Sequence, residues 1–226
     1  FFAGQVKYLG PLRDKPGFIY PICHNSVDVG THGQYTAAML NRYKESQIDY
    51  IPSNIFKTPK ELSTVSAKDK VVKCSLAKAV IDWLKYLEIA EDVETVDRGK
   101  LGYELKVILP GITRPLDLVH VGTGVSQVLP LLVICLLAPP DSTLIIEQPE
   151  LHLHPAVQTR LGDFFLAMTL LGKQCLIETH SEYLINRLRL RLVLAQDDSL
   201  KKLLKTYFVE KTRLESSFRE VLVNEY

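Results

Sequence analysis

The side chains best suited to chemistry stand together directly after a short apolar run. Thr143-Leu-Ile-Ile146 is followed at once by Glu147-Gln148-Pro-Glu150. The proline has no N–H to donate to a strand ladder, so the predicted strand must end here and open into a loop. A carboxylate at this point could hold Mg²⁺ through water.

A histidine and a glycine-rich turn supply two further groups. His180 follows a second apolar run, and Gly122-Thr123-Gly124-Val-Ser126 opens an apolar helix. Backbone N–H groups at a helix start form a natural anion site, and an imidazole can sense or polarise a terminal phosphate. Together with the carboxylate, these groups suit a metal-bound polyphosphate.

Apolar periodicity indicates the elements that position these groups. Residues 143–146 and 174–178 are predicted to be strands buried on both faces, with an amphipathic helix over 155–171 between them. A strand, a helix and a strand over this length form a parallel crossover unit. Ligands bind at the carboxyl edge of such sheets, so Glu147 and His180 are expected to meet there.

The rest of the chain is predicted to combine helices with an antiparallel meander. One or two strands are expected in residues 1–30, and residues 47–59 are expected to be a polar linker. The predicted helices are 33–46, 75–90, 126–138 and 181–195, and the predicted strands are 93–97, 103–109, 115–121, 206–212 and 218–224. Pro130 is expected in the first turns of its helix, and Ser181 is expected to be an N-cap.

Composition is that of an ordinary globular chain. The 226 residues are 46% apolar and carry a formal net charge of +1, so net charge points to no partner. The longest apolar run, Leu129 to Ala138, falls short of the roughly 20 residues that a membrane span needs, and no signal-peptide pattern is present. The four cysteines are scattered, which favours free thiols, and the expected compartment is the cytoplasm.

Three motifs taken in order resemble one known family. They are Tyr8-Leu-Gly-Pro-Leu-Arg13, Gly122-Thr-Gly-Val-Ser-Gln-Val-Leu-Pro130 and Glu147-Gln-Pro-Glu-Leu-His-Leu-His-Pro155, with Thr-His-Ser following them. The series resembles the C-terminal half of an ABC-type ATPase head of the RecF, SMC and OLD relatives, commonly labelled AAA-family ATPases. It is most similar to a bacterial subfamily that carries a C-terminal domain of unknown function. The resemblance is weakest from Asn41 to Ala79.

This resemblance implies an α/β fold, the P-loop NTPase fold of an ABC-type head. A parallel-sheet core, an antiparallel β meander and a helical insertion are expected. Residues 1–226 would form a partial ATPase domain, with the helical insertion or subdomain over 30–95. Residues 115–195 would hold the signature, Walker B, D-loop and switch-histidine core, and residues 200–226 would form a C-terminal hairpin.

The resemblance also implies a role for each matching residue. Glu147 corresponds to the Walker B acid that supports Mg²⁺, Gln148 stands where many relatives have the catalytic Glu, and His180 corresponds to the switch histidine. Residues 151–155 resemble the D-loop, which crosses to the partner subunit. Residues of the signature motif contact nucleotide held by the opposite protomer, and here they are Gly122, Thr123, Gly124 and Ser126.

Two departures from the family pattern affect the expected activity. No Gly-x-x-x-x-Gly-Lys-Ser/Thr phosphate loop occurs in the sequence, so this loop is expected upstream of Phe1 and the fragment alone should be inactive. Gln148 can orient water but cannot accept its proton. Slow hydrolysis is therefore expected, with Glu150 as a substitute acid–base group.

The expected function is ATP binding and slow ATP hydrolysis with Mg²⁺, in DNA maintenance or anti-phage defence. The expected partners are a second copy in a head-to-tail dimer, a nuclease or other effector protein, and DNA, with no membrane. Two alternatives are a non-hydrolysing, nucleotide-gated scaffold for a nuclease and a metal-dependent nuclease. The nuclease would use Glu150, His152 and His154, which alternate along an extended segment and would share one face.

Two basic features leave their own alternatives open. Arg13 could meet phosphate or pair with a nearby acid, and the sequence does not decide between them. A solvated helix face or a DNA contact could explain the basic residues near the C-terminus, namely Arg187, Arg189, Arg191, Lys201, Lys202 and Lys205. The solvated face is favoured because no aromatic residues interleave with these charges.

Overall fold

A computed structural model describes residues 6–23, 28–57, 67–195, 200, 202–211 and 215–221. The helices are α1 (Thr36–Tyr43), α2 (Leu76–Tyr86), α3 (Thr123–Leu137), α4 (Pro155–Leu170) and α5 (Glu182–Ala195). The strands are β1 (Val6–Leu9), β2 (Gln47–Tyr50), β3 (Val72–Ser75), β4 (Asp92–Asp97), β5 (Tyr103–Ile108), β6 (Leu116–Asp117), β7 (Thr143–Glu147), β8 (Gln174–Glu178), β9 (Tyr207–Lys211) and β10 (Ser216–Glu220).

A parallel sheet forms the centre of the fold. Its described strands run in the order β1-β7-β8, and β7 pairs in parallel with both neighbours. Helix α4 connects β7 to β8, as the predicted crossover requires, because parallel neighbours cannot be joined by a tight turn. The predicted fold class, α/β with a parallel core, is confirmed.

The two faces of this sheet differ in burial. Leu144 and Ile146 are fully buried in the main core together with residues of α3 and α4. On the opposite face Tyr8, Ile145 and Leu176 lie side by side in register, and Leu176 is 61% exposed. The prediction of strands buried on both faces was therefore wrong for the described residues, since the helices cover one face only.

An antiparallel sheet in the order β4-β5-β6 confirms the predicted meander. Val93, Leu105 and Val107 point from it into the core. The third strand is shorter than predicted. It has two residues, and a 3₁₀ turn over Leu118–His120 replaces the rest of the predicted strand over 115–121.

The expected helical insertion over 30–95 contains α1 and α2 and also an antiparallel pair of strands. Residues 47–50, expected to be linker, form β2 and pair with β3, with Gln47 opposite Ser75. The linker prediction was wrong for these residues, because their partner strand lies more than 20 residues away. Residues 58 and 59 of the predicted linker lie outside the described part.

Helix α3 begins earlier than predicted and is the most apolar helix. It starts at Thr123, so Pro130 lies in its interior and not in the first turns as expected. Pro130 packs against Gly33, where an added Cβ would approach the proline ring atoms to 2.7 Å and where φ is +78°. Only glycine meets both conditions without strain. No helix in the described ranges is both long and apolar enough to cross a membrane.

Strands β9 and β10 form the predicted C-terminal hairpin, with Ser216 opposite Lys211. Every residue of both strands is exposed. The second predicted strand extended to residue 224, but β10 ends at Glu220, and residues 222–226 lie outside the described part. The hairpin therefore adds little to the core.

A buried ionic cluster joins α4, α5 and α2. Asp163 is fully buried, and its Oδ1 accepts a hydrogen bond from Arg191 Nε at 2.7 Å. Its Oδ2 accepts from Arg187 Nη2 at 2.8 Å and from the Tyr86 hydroxyl at 2.5 Å. Burial raises the pKa of Tyr86 to about 12, and the charge on Asp163 adds to the effect. Arg191 also donates from Nη2 to the Phe56 carbonyl.

This cluster corrects both interpretations of the basic residues for Arg187 and Arg191. They face the core carboxylate, so they neither form a solvated helix face nor offer a surface to DNA. Lys205 pairs with Glu220 on β10 at 3.7 Å. Lys201 lies outside the described residues.

A buried lysine caps the C-terminal end of α3. Lys173 is 4% exposed, and its Nζ donates to the carbonyl oxygens of Cys135 at 2.7 Å and Leu136 at 3.4 Å. A cation is favourable at a helix C-terminus because the last carbonyl groups have no helical partner. Burial nevertheless lowers the pKa of Lys173 to about 8.

We predict that Asp163→Ala lowers the free energy of unfolding by about 3–5 kcal/mol, because it leaves two arginines near the core without their carboxylate. Urea unfolding measures the change. The matched control is Glu91→Ala, which removes an exposed ion pair with Lys85 and should cost about 1 kcal/mol or less. Equal losses in the two variants would contradict the assignment.

A second prediction concerns alkaline pH. The folded-state pKa of Lys173, about 8, lies below the ordinary lysine pKa of 10.5, so the unfolded chain binds more protons between these values. The stability of the wild type relative to Lys173→Met should therefore rise by up to about 3 kcal/mol as pH increases through this window. Urea unfolding across the window tests this, with Lys85→Met as the exposed control. A pH-independent difference would count against it.

Candidate functional site

Two glutamates end the two central strands side by side. Glu147 of β7 is in register with Glu178 of β8, so both side chains project from the same face at the carboxyl edge of the sheet. The Tyr8 hydroxyl, on β1, donates a hydrogen bond to Glu147 Oε1 at 3.0 Å. Glu147 is half-buried, and it lies where the sequence analysis expected it.

The backbone holds Gln148 in an unusual conformation. Its φ is +42°, in the left-handed region that few residues other than glycine adopt. Its N–H donates to the Glu178 carbonyl at 2.8 Å, and its carbonyl accepts from Arg13 Nη1 at 3.1 Å and from the Leu151 N–H at 3.2 Å. The position of this amide residue is thus defined by three hydrogen bonds.

Arg13 lies between the turns that follow β1 and β7. It is 7% exposed, and its Nη1 donates to the backbone carbonyls of Pro11 and Gln148. Burial lowers the pKa of Arg13, while the charges on Glu150 and Glu147 oppose that shift. Arg13 therefore links the turn after β1 to the turn after β7.

His180 lies beside Glu178, a partner that the sequence analysis did not identify. Its Nε2 is 3.4 Å from Glu178 Oε1, and its side chain is 79% exposed. Glu147 directly follows the predicted strand over 143–146, and the predicted strand over 174–178 ends in Glu178. Aligning them in register would have identified Glu178.

Glu150 does not present a free carboxylate. Its Oε2 accepts a hydrogen bond from Thr179 Oγ1 and its Oε1 accepts from the His180 backbone N–H, each at 2.7 Å. Both oxygens are thus engaged in holding the loop that follows β8. This geometry favours a positioning role over the expected acid–base role.

The alternative metal site at Glu150, His152 and His154 does not form within the described residues. His154 Nδ1 accepts from the Ala156 N–H and so caps α4, while His152 has a φ of +62°. Within the described ranges, no group of three or more His, Cys, Asp or Glu side chains converges to hold a metal ion. The structure therefore gives no support to the metal-nuclease alternative.

The glycine-rich start of α3 has open space beside both glycines, whereas its serine is buried. Gly122 has no atom within 4 Å of an added Cβ, and Gly124 meets only Leu153 at 3.8 Å. Thr123 begins the helix, and no side chain caps it. Ser126, however, is buried, and its hydroxyl donates to the Thr123 carbonyl at 2.8 Å. Its hydroxyl hydrogen is therefore directed to the helix backbone.

The sequence matches the model of one protein family. A family model described as "AAA domain, putative AbiEii toxin, Type IV TA system" matches residues 27–186. No curated protein matches the sequence. The family match agrees with the P-loop ATPase part of the resemblance noted from the motifs.

Three solved structures are similar at low identity. One, from a study of ATP-driven dimerization and DNA-stimulated activation of SMC ATPases, is 12% identical with a TM-score of 0.49, over 65% of this chain and 83% of that one. An Smc head domain of Pyrococcus furiosus bound to the C-terminal domain of ScpA is 12% identical with a TM-score of 0.48, over 65% and 34%. An SmcHead bound to the C-winged helix domain of ScpA is 10% identical with a TM-score of 0.47, over 83% and 53%.

We predict that Glu147→Gln lowers the pKa of Tyr8. The hydrogen bond to the Glu147 carboxylate is the main cause that raises this pKa above its usual value of about 10, with burial and the Glu147 charge adding. Ultraviolet titration of the phenol measures it, as the difference between each variant and the same variant with Tyr8→Phe. Glu178→Gln is the control, since Glu178 does not bond Tyr8. An unchanged titration in Glu147→Gln would show that the bond is absent.

Proposed function

We propose, because this chain belongs to the AAA domain family whose model matches residues 27–186, that it forms part of an ATP-binding and ATP-hydrolysing protein. One observation supports this above the others. The parallel pairing of β7 and β8 brings Glu147, Gln148 and His180 to the carboxyl edge of one sheet. Ligands of open α/β folds bind at this edge.

The groups at this edge fit a magnesium-bound nucleotide. In the described part of the chain, the hydrogen-bond partner of the Glu147 carboxylate is the neutral Tyr8 phenol, so its charge remains available to a cation. Carboxylate and water oxygens are the ligands that Mg²⁺ prefers. When bound, Mg²⁺ would neutralise charge on the phosphate oxygens, and Glu147 would hold it through water.

Gln148 and His180 would act on the water and the terminal phosphate. The fixed backbone of Gln148 gives its amide a defined position from which to orient a water molecule. An amide accepts no proton, but phosphoryl transfer depends more on positioning and charge than on a strong base. His180 is exposed, and Glu178 keeps its imidazole at the site edge. We therefore infer slow hydrolysis.

The phosphate-binding loop is not encoded in these residues. Because no Gly-x-x-x-x-Gly-Lys-Ser/Thr occurs, we propose that a segment preceding Phe1 supplies it and that this chain alone binds nucleotide poorly. Activity is therefore a property that we assign to the full-length protein.

A head-to-tail dimer would complete the site. The uncapped start of α3 lies against Leu153, so Gly122 to Gly124 and the loop over 151–155 form one neighbouring surface. We propose that this surface contacts nucleotide and the loop of a second copy. The family description mentions a putative toxin of a toxin–antitoxin system, which agrees with a role in defence, and we propose a nuclease or other effector protein and DNA as further partners.

A second candidate is a nucleotide-gated scaffold that binds ATP without hydrolysing it. Two observations favour it: the water-orienting position holds an amide, and both oxygens of Glu150 are already hydrogen-bonded. The Glu150 carboxylate is then not free to accept a proton. Such a protein would bind its partner in a nucleotide-dependent way.

Steady-state phosphate release by the full-length protein separates the two candidates. For an ATPase, His180→Ala should lower kcat about 100-fold or more because it removes a group that stabilises transition-state charge. Gln148→Glu should raise kcat about tenfold or more by supplying a base. Thr159→Val is the control, since its hydroxyl bonds only within α4. Tight ATP binding without turnover would support the scaffold, and absence of ATP binding would refute both.

A further inference from the structure

A closed ring of hydrogen bonds joins the loop after β7 to the loop after β8. We call it the bracing ring, and its members are Glu150, Leu153, Gln158, Thr179 and Ser181. Thr179 Oγ1 donates to Glu150 Oε2 at 2.7 Å, and the Ser181 N–H donates to Thr179 Oγ1 at 3.0 Å. Ser181 Oγ donates to Gln158 Oε1 at 2.6 Å, Gln158 Nε2 donates to the Leu153 carbonyl at 2.8 Å, and the Leu153 N–H donates to the Glu150 carbonyl at 3.0 Å.

One further bond ties the candidate catalytic histidine to this ring. The His180 backbone N–H donates to Glu150 Oε1 at 2.7 Å, while its side chain remains 79% exposed. The backbone of His180 is thereby anchored to the loop after β7, and only its imidazole is left free to meet a ligand.

We propose that Glu150 is a positioning residue whose carboxylate makes the loop over 148–154 and the loop over 179–181 move as one unit. The proposal rests on the proposed function, because the first loop is the one assigned to the second copy and the second loop carries His180. Contact by a second copy with residues 151–155 would then adjust the position of His180. Formation of the dimer would thereby be coupled to ATP hydrolysis through bonds within one subunit.

The chemistry of the ring explains why a carboxylate is needed. Glu150 accepts one donor on each oxygen, a hydroxyl and a backbone N–H, and both bonds are short and charge-assisted. A glutamine has one acceptor oxygen, so it cannot accept both bonds, and it carries no charge to strengthen the bond that it keeps. Glu150→Gln should therefore weaken the ring without changing the size of the side chain.

The loop after β7 contains two residues in an unusual backbone conformation. Gln148 and His152 have positive φ values, which surrounding contacts must maintain. The Ser181 hydroxyl also accepts from the Leu184 N–H at 3.2 Å, so the predicted N-cap of α5 is confirmed and the ring continues into α5. In the described residues, the ring thus connects the two loops in addition to the β7–β8 ladder.

Thr179 distinguishes positioning from acid–base catalysis. A general acid or base at Glu150 would not need the Thr179 hydroxyl, whereas the ring would. Thr179→Val removes the hydroxyl at constant shape, and Thr179→Ser restores it. Thr159→Val is the matched control, because it removes a hydroxyl on α4 that takes no part in the ring.

Amide hydrogen exchange without nucleotide tests the ring directly. In the full-length protein, Glu150→Gln should speed exchange at His180 and Ser181 about tenfold, the loss expected for a charge-assisted bond. Thr179→Val should speed exchange at Leu153 as well, on the other loop, while Thr179→Ser and Thr159→Val leave both loops near wild type. Acceleration confined to the mutated loop would overturn the proposal.

Phosphate release with ATP tests the consequence. Glu150→Gln and Thr179→Val should both lower kcat about tenfold with KM for ATP changed less than about twofold, and Thr179→Ser should recover most of the rate. Loss of turnover in Glu150→Gln with full turnover in Thr179→Val would overturn positioning in favour of acid–base catalysis. If the wild type itself releases no phosphate, the proposed function fails, and the exchange measurements still decide whether the ring joins the loops.

Discussion

The hydrogen-bond ladder between β7 and β8 is the constraint on which the candidate site depends. Its register places Glu147 beside Glu178, and the next bond along, from the Gln148 N–H to the Glu178 carbonyl, extends the pairing past the end of β7. A slip of β8 by one residue would turn Glu178 to the helix-covered face and away from Glu147. Helix α4 enforces the pairing, because the connection it forms requires β7 and β8 to run parallel.

Much of this arrangement follows from local sequence. The core strands β7 and β8 and the helix between them were predicted because apolar runs, a proline stop and a glycine stop all lie within each element or next to it. The positions of Glu147 and His180 at one edge follow from the same signals. Local signals also identified the meander, whose turns carry Gly99 and Gly111 at positive φ.

What escaped prediction depends on partners distant in sequence. Strand β2 has four residues and little apolar character, and it exists because β3 pairs with it. Arg191 looks like one charge in a surface run until Asp163, 28 residues earlier, is placed beneath it. Glu150 resembles a free acid in the sequence, and only the fold brings Thr179 to it. Local sequence propensity does not predict such pairs, because they form only when the fold brings distant residues together.

The left-handed backbone of Gln148 also limits which residues this position can hold. At a φ of +42°, β-branched and bulky side chains are strained, whereas unbranched polar residues and glycine are tolerated better. The backbone conformation of this turn therefore restricts which residues can occupy position 148. Glutamine and glutamate have the same size and branching, so the functional group at this edge of the sheet can change from amide to acid while the turn keeps its backbone conformation.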